Sequence, residues 1–290
     1  MEQLLLGFLL AVCISLLALW LKALNRNGVI AATILGTITF GLGGLSWSII
    51  LVAFFLTSSV LSRLAMKRKS SLAEKAAKSS RRDAWQVLAN GGVGGVIVLV
   101  YAALEKGYLH FNGNSSLVLF LAFSASLAAA TADTWATELG VLSHSQPVQL
   151  TTGRTVEPGT SGGITLVGWS AALGGATLIG IVACATLLFA IGTAGFAGND
   201  DAFNLGGLWL PLVTIIAAGL AGSFIDSLLG ATVQAVYYCP ACQKETEHHP
   251  FHNCGSPTSH IRGWRWLNND LVNLACSACG ALVCLVFFLI

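Results

Sequence analysis

Charge is what this chain has least of. Only 10% of its 290 residues are Asp, Glu, Lys or Arg, whereas 55% are hydrophobic. A soluble globular chain carries roughly 25% charged residues, so 13 acids and 15 bases are too few to solvate a soluble surface of this size. Proline is scarce too, at six residues, which excludes a Pro-rich disordered chain. A net charge of +2 is too small for a nucleic-acid-binding surface. Eight scattered cysteines do not make a secreted disulfide scaffold. No basic leader precedes the first apolar run and no small-residue cleavage site follows it, so it reads as a retained helix. What these absences leave is a polytopic membrane protein, in line with a mean hydropathy of +0.75.

A spanning helix takes about 20 mostly apolar residues. Apolar runs at 4–22, 29–44, 47–64, 87–104, 115–142, 163–192, 208–238 and 269–290 predict an all-α, single integral membrane domain of about eight spans over 1–290. The second run is short and Gly-rich, which suggests a broken or re-entrant segment. The fifth to seventh are longer than a bilayer needs, so their ends should tilt or project. Alternating spans place every Lys and Arg except Lys106 on one side. By the positive-inside rule that side is cytoplasmic and both termini lie outside. Two connections on the basic side stand out: a basic loop at 65–85, and a Cys/His loop at 239–267.

Ionisable residues within spans are costly and mark function by default. Asp133 and Glu138 lie in SLAAATADTWATELGVLS at the basic-side end of span five. Five residues apart, they point about 140° from one another, while Asp133 and Thr137 share a face. Asp226 lies in SFIDSLLGATVQ, again near the basic side. Gln86 and Asn90 open span four, Asn269, Asp270 and Asn273 open span eight, and Asn25 and Arg26 precede span two. Carboxylates, carboxamides and arginines thus converge at one membrane face. Asn and Asp also serve as helix N-caps, but a carboxylate near a helix C-terminus opposes the macrodipole. Asp133 therefore requires a counter-charge, a metal ion or a proton.

The connection after span five reads TTGRTVEPGTSGGITLVG. Its Gly153, Gly159 and Gly162 permit close backbone approach to an anion, and successive N–H groups can form a nest. Arg154 supplies a bidentate phosphate partner, and Glu157, Thr160 and Ser161 add polar groups. The alternative is a flexible Gly-rich turn. Beside Asp133, the set is what magnesium-assisted phosphoryl transfer needs: carboxylates to hold Mg²⁺, and cationic and N–H groups for the phosphates.

Cys239 and Cys242 form a CxxC pair, and Cys254 follows among His248, His249, His252 and His260. Tetrahedral Zn²⁺ takes four S or N ligands, two of which a CxxC turn can supply. Cys239, Cys242, Cys254 and either His252 or His260 would complete a structural site; free thiols or a redox pair are the alternatives. Cys276 and Cys279 form a second CxxC inside an apolar helix and read as small buried hydrophobes.

The segments LNRNGVIAATILGTITFGLGG, RRDAWQVLANGGV, ATADTWATELGVLS, TTGRTVEPGTSGGIT, SFIDSLLGATVQ and WLNNDLVN, taken in order, resemble the membrane family known as domain of unknown function ninety-two. That family includes animal transmembrane protein nineteen and the phytyl-phosphate kinase of plants and cyanobacteria. The resemblance implies transfer of a nucleotide γ-phosphate, with CTP favoured, to an isoprenoid monophosphate in the membrane. ADTWATELG followed by TTGRTVEPGTSGG also looks like the Mg²⁺-dependent, CTP-using dolichol kinases and CDP-diacylglycerol synthases. By that likeness Asp133 matches a metal ligand, Arg154 and Gly159 to Ser161 match a phosphate loop, and Asp226 is a second metal ligand. Arg81, Arg82 and Asn90 would clamp the nucleotide or the acceptor phosphate. The competing readings are a transporter of an anionic solute, with Asp133 and Asp226 coupling ions, and a non-catalytic assembly subunit. The sequence leaves a homo-oligomer open.

Overall fold

The computed structural model describes residues 2–69, 81–110, 115–192 and 207–289. Most of the basic loop at 65–85, including Lys75 and Lys78, lies outside the described residues. The order of elements is α1 (Glu2–Trp20), α2 (Arg26–Ile38), a π turn (Thr39–Gly43), α3 (Leu45–Lys69), α4 (Ala84–Glu105), α5 (Ser115–Gly140), β1 (Val148–Gln149), β2 (Gly163–Ile164), α6 (Leu166–Gly192), α7 (Trp209–Thr232), β3 (Val236–Cys239), β4 (Lys244–Thr246), β5 (Ser259–Arg262) and α8 (Asn269–Leu289). Seven of the described helices are long and apolar enough to cross a membrane.

The short, Gly-rich second run is not among these seven; it forms α2 and the π turn. The π turn extends α2 without a break in the helical path, and wider i→i+5 turns of this kind occur as bulges within helices. The two ends of the combined segment match the two ends of α1. At one end Asn25 N donates to the Arg82 carbonyl, and Arg82 N donates to the Ala23 carbonyl just past α1. At the other, a methyl built on Gly7 of α1 would lie 2.7 Å from Gly41 N, so α1 and the π turn touch backbone to backbone. Eighteen helical residues rise at most about 27 Å, close to the hydrocarbon thickness.

Helix α5 is the axis of the bundle. Every residue from Phe120 to Ala132 is buried, and α5 packs against α3, α4, α6, α7 and α8. Its run of Ala and Ser permits this, because small side chains let helix backbones close on one another without lipid between them. The facing glycines complete the fit. A methyl on Gly280 of α8 would lie 2.6 Å from the Ala125 carbonyl oxygen, and one on Gly222 of α7 would lie 2.5 Å from Ala129 Cβ. At the opposite end from the polar site, Trp47 packs against Tyr101, Phe120 and Phe123.

Outside the helices the chain forms two small antiparallel sheets, β1–β2 and a three-stranded sheet in the order β4–β3–β5. The second one corrects the seventh apolar run, read from sequence as 208–238. Helix α7 stops at Thr232, and the residues from Val236 onward pair with β4 and β5. AVYYC is apolar enough to prolong a helix on paper, but β-branched and aromatic residues suit a strand packed on other protein.

Candidate functional site

The polar residues lie at similar distances from their own helix ends, but in two groups. Asp133 lies seven residues from the end of α5, Asp226 six from the end of α7, and Asn90 six from the start of α4. Each is therefore about 9–10 Å in from its helix end. Around Asp133 and Asp226 a cleft of about 1020 Å³, counting its open mouth, is lined by Thr137, Gly159, Thr160, Ser161, Gly163, Ser223, Ser227, Gln234, Glu247 and Asn269. Two carboxylates from different helices thus face a glycine-rich loop and several hydroxyls. In α8 Cys276 lies within the electrostatic reach of both carboxylates.

The loop is shaped by its glycines. Gly162 has φ +79°, and a methyl there would collide with Ala231 at the end of α7, so the loop is seated directly on that helix. Arg262 fixes the seat. Its guanidinium donates to the carbonyl oxygens of Gly230 (3.0 Å) and Ala231 (3.2 Å) and to that of Ser161 (3.4 Å). A cation on the last carbonyls of a helix is favoured by the helix dipole. On the other side of the loop Ser161 Oγ donates to Glu247 Oε1 at 2.8 Å, and Gln234 Nε2 donates to the same oxygen at 2.8 Å.

Arg82, Gln86 and Asn90 belong to a different cavity. They form the polar end of a groove of about 620 Å³ among α1–α4, whose other walls are apolar, including Ala11, Leu35, Phe54 and Phe55. Arg82 lies 5.4 Å from the Phe54 ring centre, a cation–π distance. Burial pulls its guanidinium down to about 10, while the charge of Glu138 raises it against that. It remains a cation at neutral pH. The roughly 140° between Asp133 and Glu138 is thus put to use: one faces the cleft, and the other lies within reach of Arg82. Helix α8 is tied to α4 beside Asn90, where Ser277 Oγ donates to the Asn90 carbonyl at 3.4 Å.

Other expected site residues sit elsewhere. Arg154 is exposed on the turn before β2 and, like Gly153 and Glu157, does not line the cleft. Arg26 is exposed. Asn25 is the N-cap of α2, accepting from Gly28 N at 2.7 Å. Gln86 completes a capping box with Asp83 as well as lining the groove. Asp270 and Asn273 are half-buried in the first turns of α8 and line neither cavity, and Arg81 is exposed.

The Cys/His loop forms a compact module. Cys239 ends β3 and Cys242 lies in the β3–β4 turn; His252 and Cys254 come from the following loop, closed by His252 N to the Ser256 carbonyl and Gly255 N to the His252 carbonyl. The four ligand atoms lie within 4.8 Å of one another. Cys239 Sγ and Cys254 Sγ are 3.6 Å apart, and His252 Nδ1 is 3.5 Å from Cys242 Sγ and 3.2 Å from Cys254 Sγ. A tetrahedron with metal–S near 2.3 Å and metal–N near 2.0–2.1 Å has edges of about 3.8 and 3.5 Å. This cluster can hold a metal ion. His252 takes the place that the sequence left open between it and His260. The hydrogen bond with His252 draws the Cys254 thiol down to about 6, while Cys242, bonded to Cys254, is pushed up to about 11.

A family model described as integral membrane protein DUF92 matches residues 9–281, from α1 to α8. The chain belongs to this family. It is similar to Protein PGR of Arabidopsis thaliana, with 34% identity over 256 residues, 87% of this chain and 84% of that one. It is also similar to the uncharacterized membrane protein MJ0933 of Methanocaldococcus jannaschii, at 35% over 234 residues, 80% of this chain and 84% of its relative. Protein VTE6, chloroplastic, of Arabidopsis thaliana is 24% identical over 270 residues, 92% of this chain and 66% of that protein. No solved structure matches the chain. Membership confirms a multi-pass integral membrane protein. The sequence reading passed over Gln234 and Glu247, which line the cleft, and Arg262, which holds the loop from behind. Their polar character was visible; their approach to Ser161 was not, since it depends on how the module folds back onto the loop.

Proposed function

We propose that this protein is a phosphotransferase that moves the γ-phosphate of a nucleoside triphosphate, CTP favoured, onto an isoprenoid monophosphate such as phytyl phosphate. The reading is carried by one arrangement: Asp133 and Asp226 facing the Gly159–Gly163 loop across a single cleft. The resemblance to phytyl-phosphate kinases and to CTP-using lipid enzymes supports the reaction class. The nucleotide occupies the cleft, its phosphates against the loop N–H groups and the Thr160 and Ser161 hydroxyls. Asp133 and Asp226 are the ligands for Mg²⁺, which when bound supplies charge neutralisation at the phosphates. The acceptor chain lies in the apolar groove of α1–α4, with its phosphate toward Arg82, Gln86 and Asn90. A phosphate monoester oxygen is already a nucleophile. It forms the new P–O bond to the γ-phosphorus while the bond to the β-bridging oxygen breaks and the nucleoside diphosphate leaves. The chain's own contribution is positioning and electrostatic stabilisation.

By this reading the cleft opens to the cytoplasm, the side to which the positive-inside rule assigns nearly all the bases. The Cys₃His cluster holds structural Zn²⁺, because a soft thiolate set with one imidazole suits zinc and not Mg²⁺.

The test uses purified protein in detergent with Mg²⁺, γ-labelled CTP or ATP, and phytyl or geranylgeranyl monophosphate, with Asp133→Asn as control. Label is expected in a lipid diphosphate and is expected to vanish in the control. A folded protein that transfers nothing across that panel would sink the reading, and flux of a phosphorylated solute into sealed vesicles would then favour transport.

A further inference from the structure

We infer that the metal-binding module is a clamp on the cleft loop, and that Glu247 and Arg262 are the positioning residues through which it acts. The inference rests on reading that loop as the phosphate-facing wall of the cleft. The loop is conformationally loose by composition: Gly153, Gly159 and Gly162 all have positive φ. A loop that presents N–H groups to an anion must nevertheless be held still, because preorganised donors are what such a site supplies. Ser161 is gripped from two sides by the module. Its hydroxyl donates to Glu247 at 2.8 Å, and its carbonyl accepts from Arg262 at 3.4 Å. Glu247 is itself oriented by Gln234 at 2.8 Å.

Both gripping residues are anchored by strands that meet at the metal cluster. Glu247 follows directly on β4, which pairs with β3 in the register Cys239↔Lys244. Arg262 ends β5, paired opposite Val236 of the same strand. Cys239 and Cys242 lie at the β3–β4 turn and are drawn to His252 and Cys254 across the module. A three-stranded sheet of about thirty residues has too little core to hold its shape alone, and a bound metal is the usual staple at this size. A metal there fixes the turn, the turn fixes β3 against β4 and β5, and the strands fix Glu247 and Arg262 on Ser161. The module carries no reacting group; it makes the donors of another site rigid.

The experiment uses the full chain in detergent, with zinc content measured by mass spectrometry and hydrogen exchange followed in peptides covering 148–165. Wild type is expected to hold one zinc per chain. Cys242→Ser, or treatment with a strong chelator, is expected to release it and to speed exchange of those peptides about tenfold, as for loss of one charge-assisted hydrogen bond. Peptides of α5 should be unchanged. Glu247→Ala is expected to keep the zinc yet speed loop exchange similarly, and Glu247→Gln, which retains an accepting oxygen, to recover most of the protection. If Cys242→Ser does not fold, the chelated wild type and Glu247→Ala carry the test. Wild type without zinc, or unchanged loop exchange in Glu247→Ala, would overturn the clamp. The exchange readout needs no nucleotide, so protected loops in a protein that transfers no phosphate would sink the kinase reading and leave the clamp standing.

Discussion

The two cavities differ in how their walls are built. The cleft lies where α5, α6 and α7 meet the loop and the module, and α5–α8 pack through Ala, Ser and Gly at backbone distance. The groove lies among α1–α4, lined by Ala and Gly of α1 and α2 and by Leu35, Phe54 and Phe55. The central helix is the most enclosed: 72% of the α5 window is buried, against 22% of that of α1. Close packing by small residues excludes lipid, which is what intramembrane carboxylates need. An apolar groove is filled without penalty only by an apolar group. One half of the molecule is thus suited to charge and the other to hydrocarbon, with Arg82 and Asn90 at the border.

The largest expected effect lies on the charged side. Asp133→Asn or Asp226→Asn should lower turnover at least about a thousandfold, in the range of losing a major electrostatic element, while thermal unfolding in detergent stays near wild type. A variant of either kind with normal kcat would remove the cleft from the chemistry. Next comes the border. Arg82→Met should raise KM for the lipid acceptor about 10- to 100-fold and leave nucleotide affinity within a factor of two, consistent with loss of a charge-assisted contact worth about 1.5–3 kcal/mol. Equal weakening of both ligands would mean that the cavities act as one.

The smallest effects test the packing. Gly222→Ala puts a methyl against Ala129 and the Cys276 carbonyl, and overpacking of this sort costs about 1–3 kcal/mol. Gly92→Ala in α4 meets nothing within 4 Å and should match wild type or exceed it by up to about 1 kcal/mol, since Ala is the better helix former. Paired melting curves measure the difference, and equal curves would deny that the α5–α8 half is the tighter one.

Much of this was legible in the chain. Seven long apolar helices, and the Gly-rich second run as a short segment between two of them, follow from spacing alone. The CxxC turn and Cys254 were visible as a candidate metal site because ligand chemistry is local, but only the fold brings His252, and not His260, into the cluster. What spacing did not resolve was direction. Arg82 and Asn90 read as one site with Asp133 but face another cavity, since a helix's rotation is set by its neighbours. Asn25 satisfies its own helix terminus, and Arg154, the expected phosphate partner, stands exposed at a turn. Glu247 and Arg262 were unremarked because their partner, Ser161, is 86 and 101 residues away in the chain.

The burial of α5 also bears on how the protein is made. Helix α5 has the lowest mean hydropathy of the seven long helices and carries Ser124, Ser126, Thr131 and Asp133. In the finished protein α6, α7 and α8 shield it. During synthesis those three helices do not yet exist when α5 leaves the ribosome, so its polar face first meets either lipid or the insertion machinery. The only shelter the chain itself can then offer is α3 and α4, which precede α5 in synthesis and pack against it.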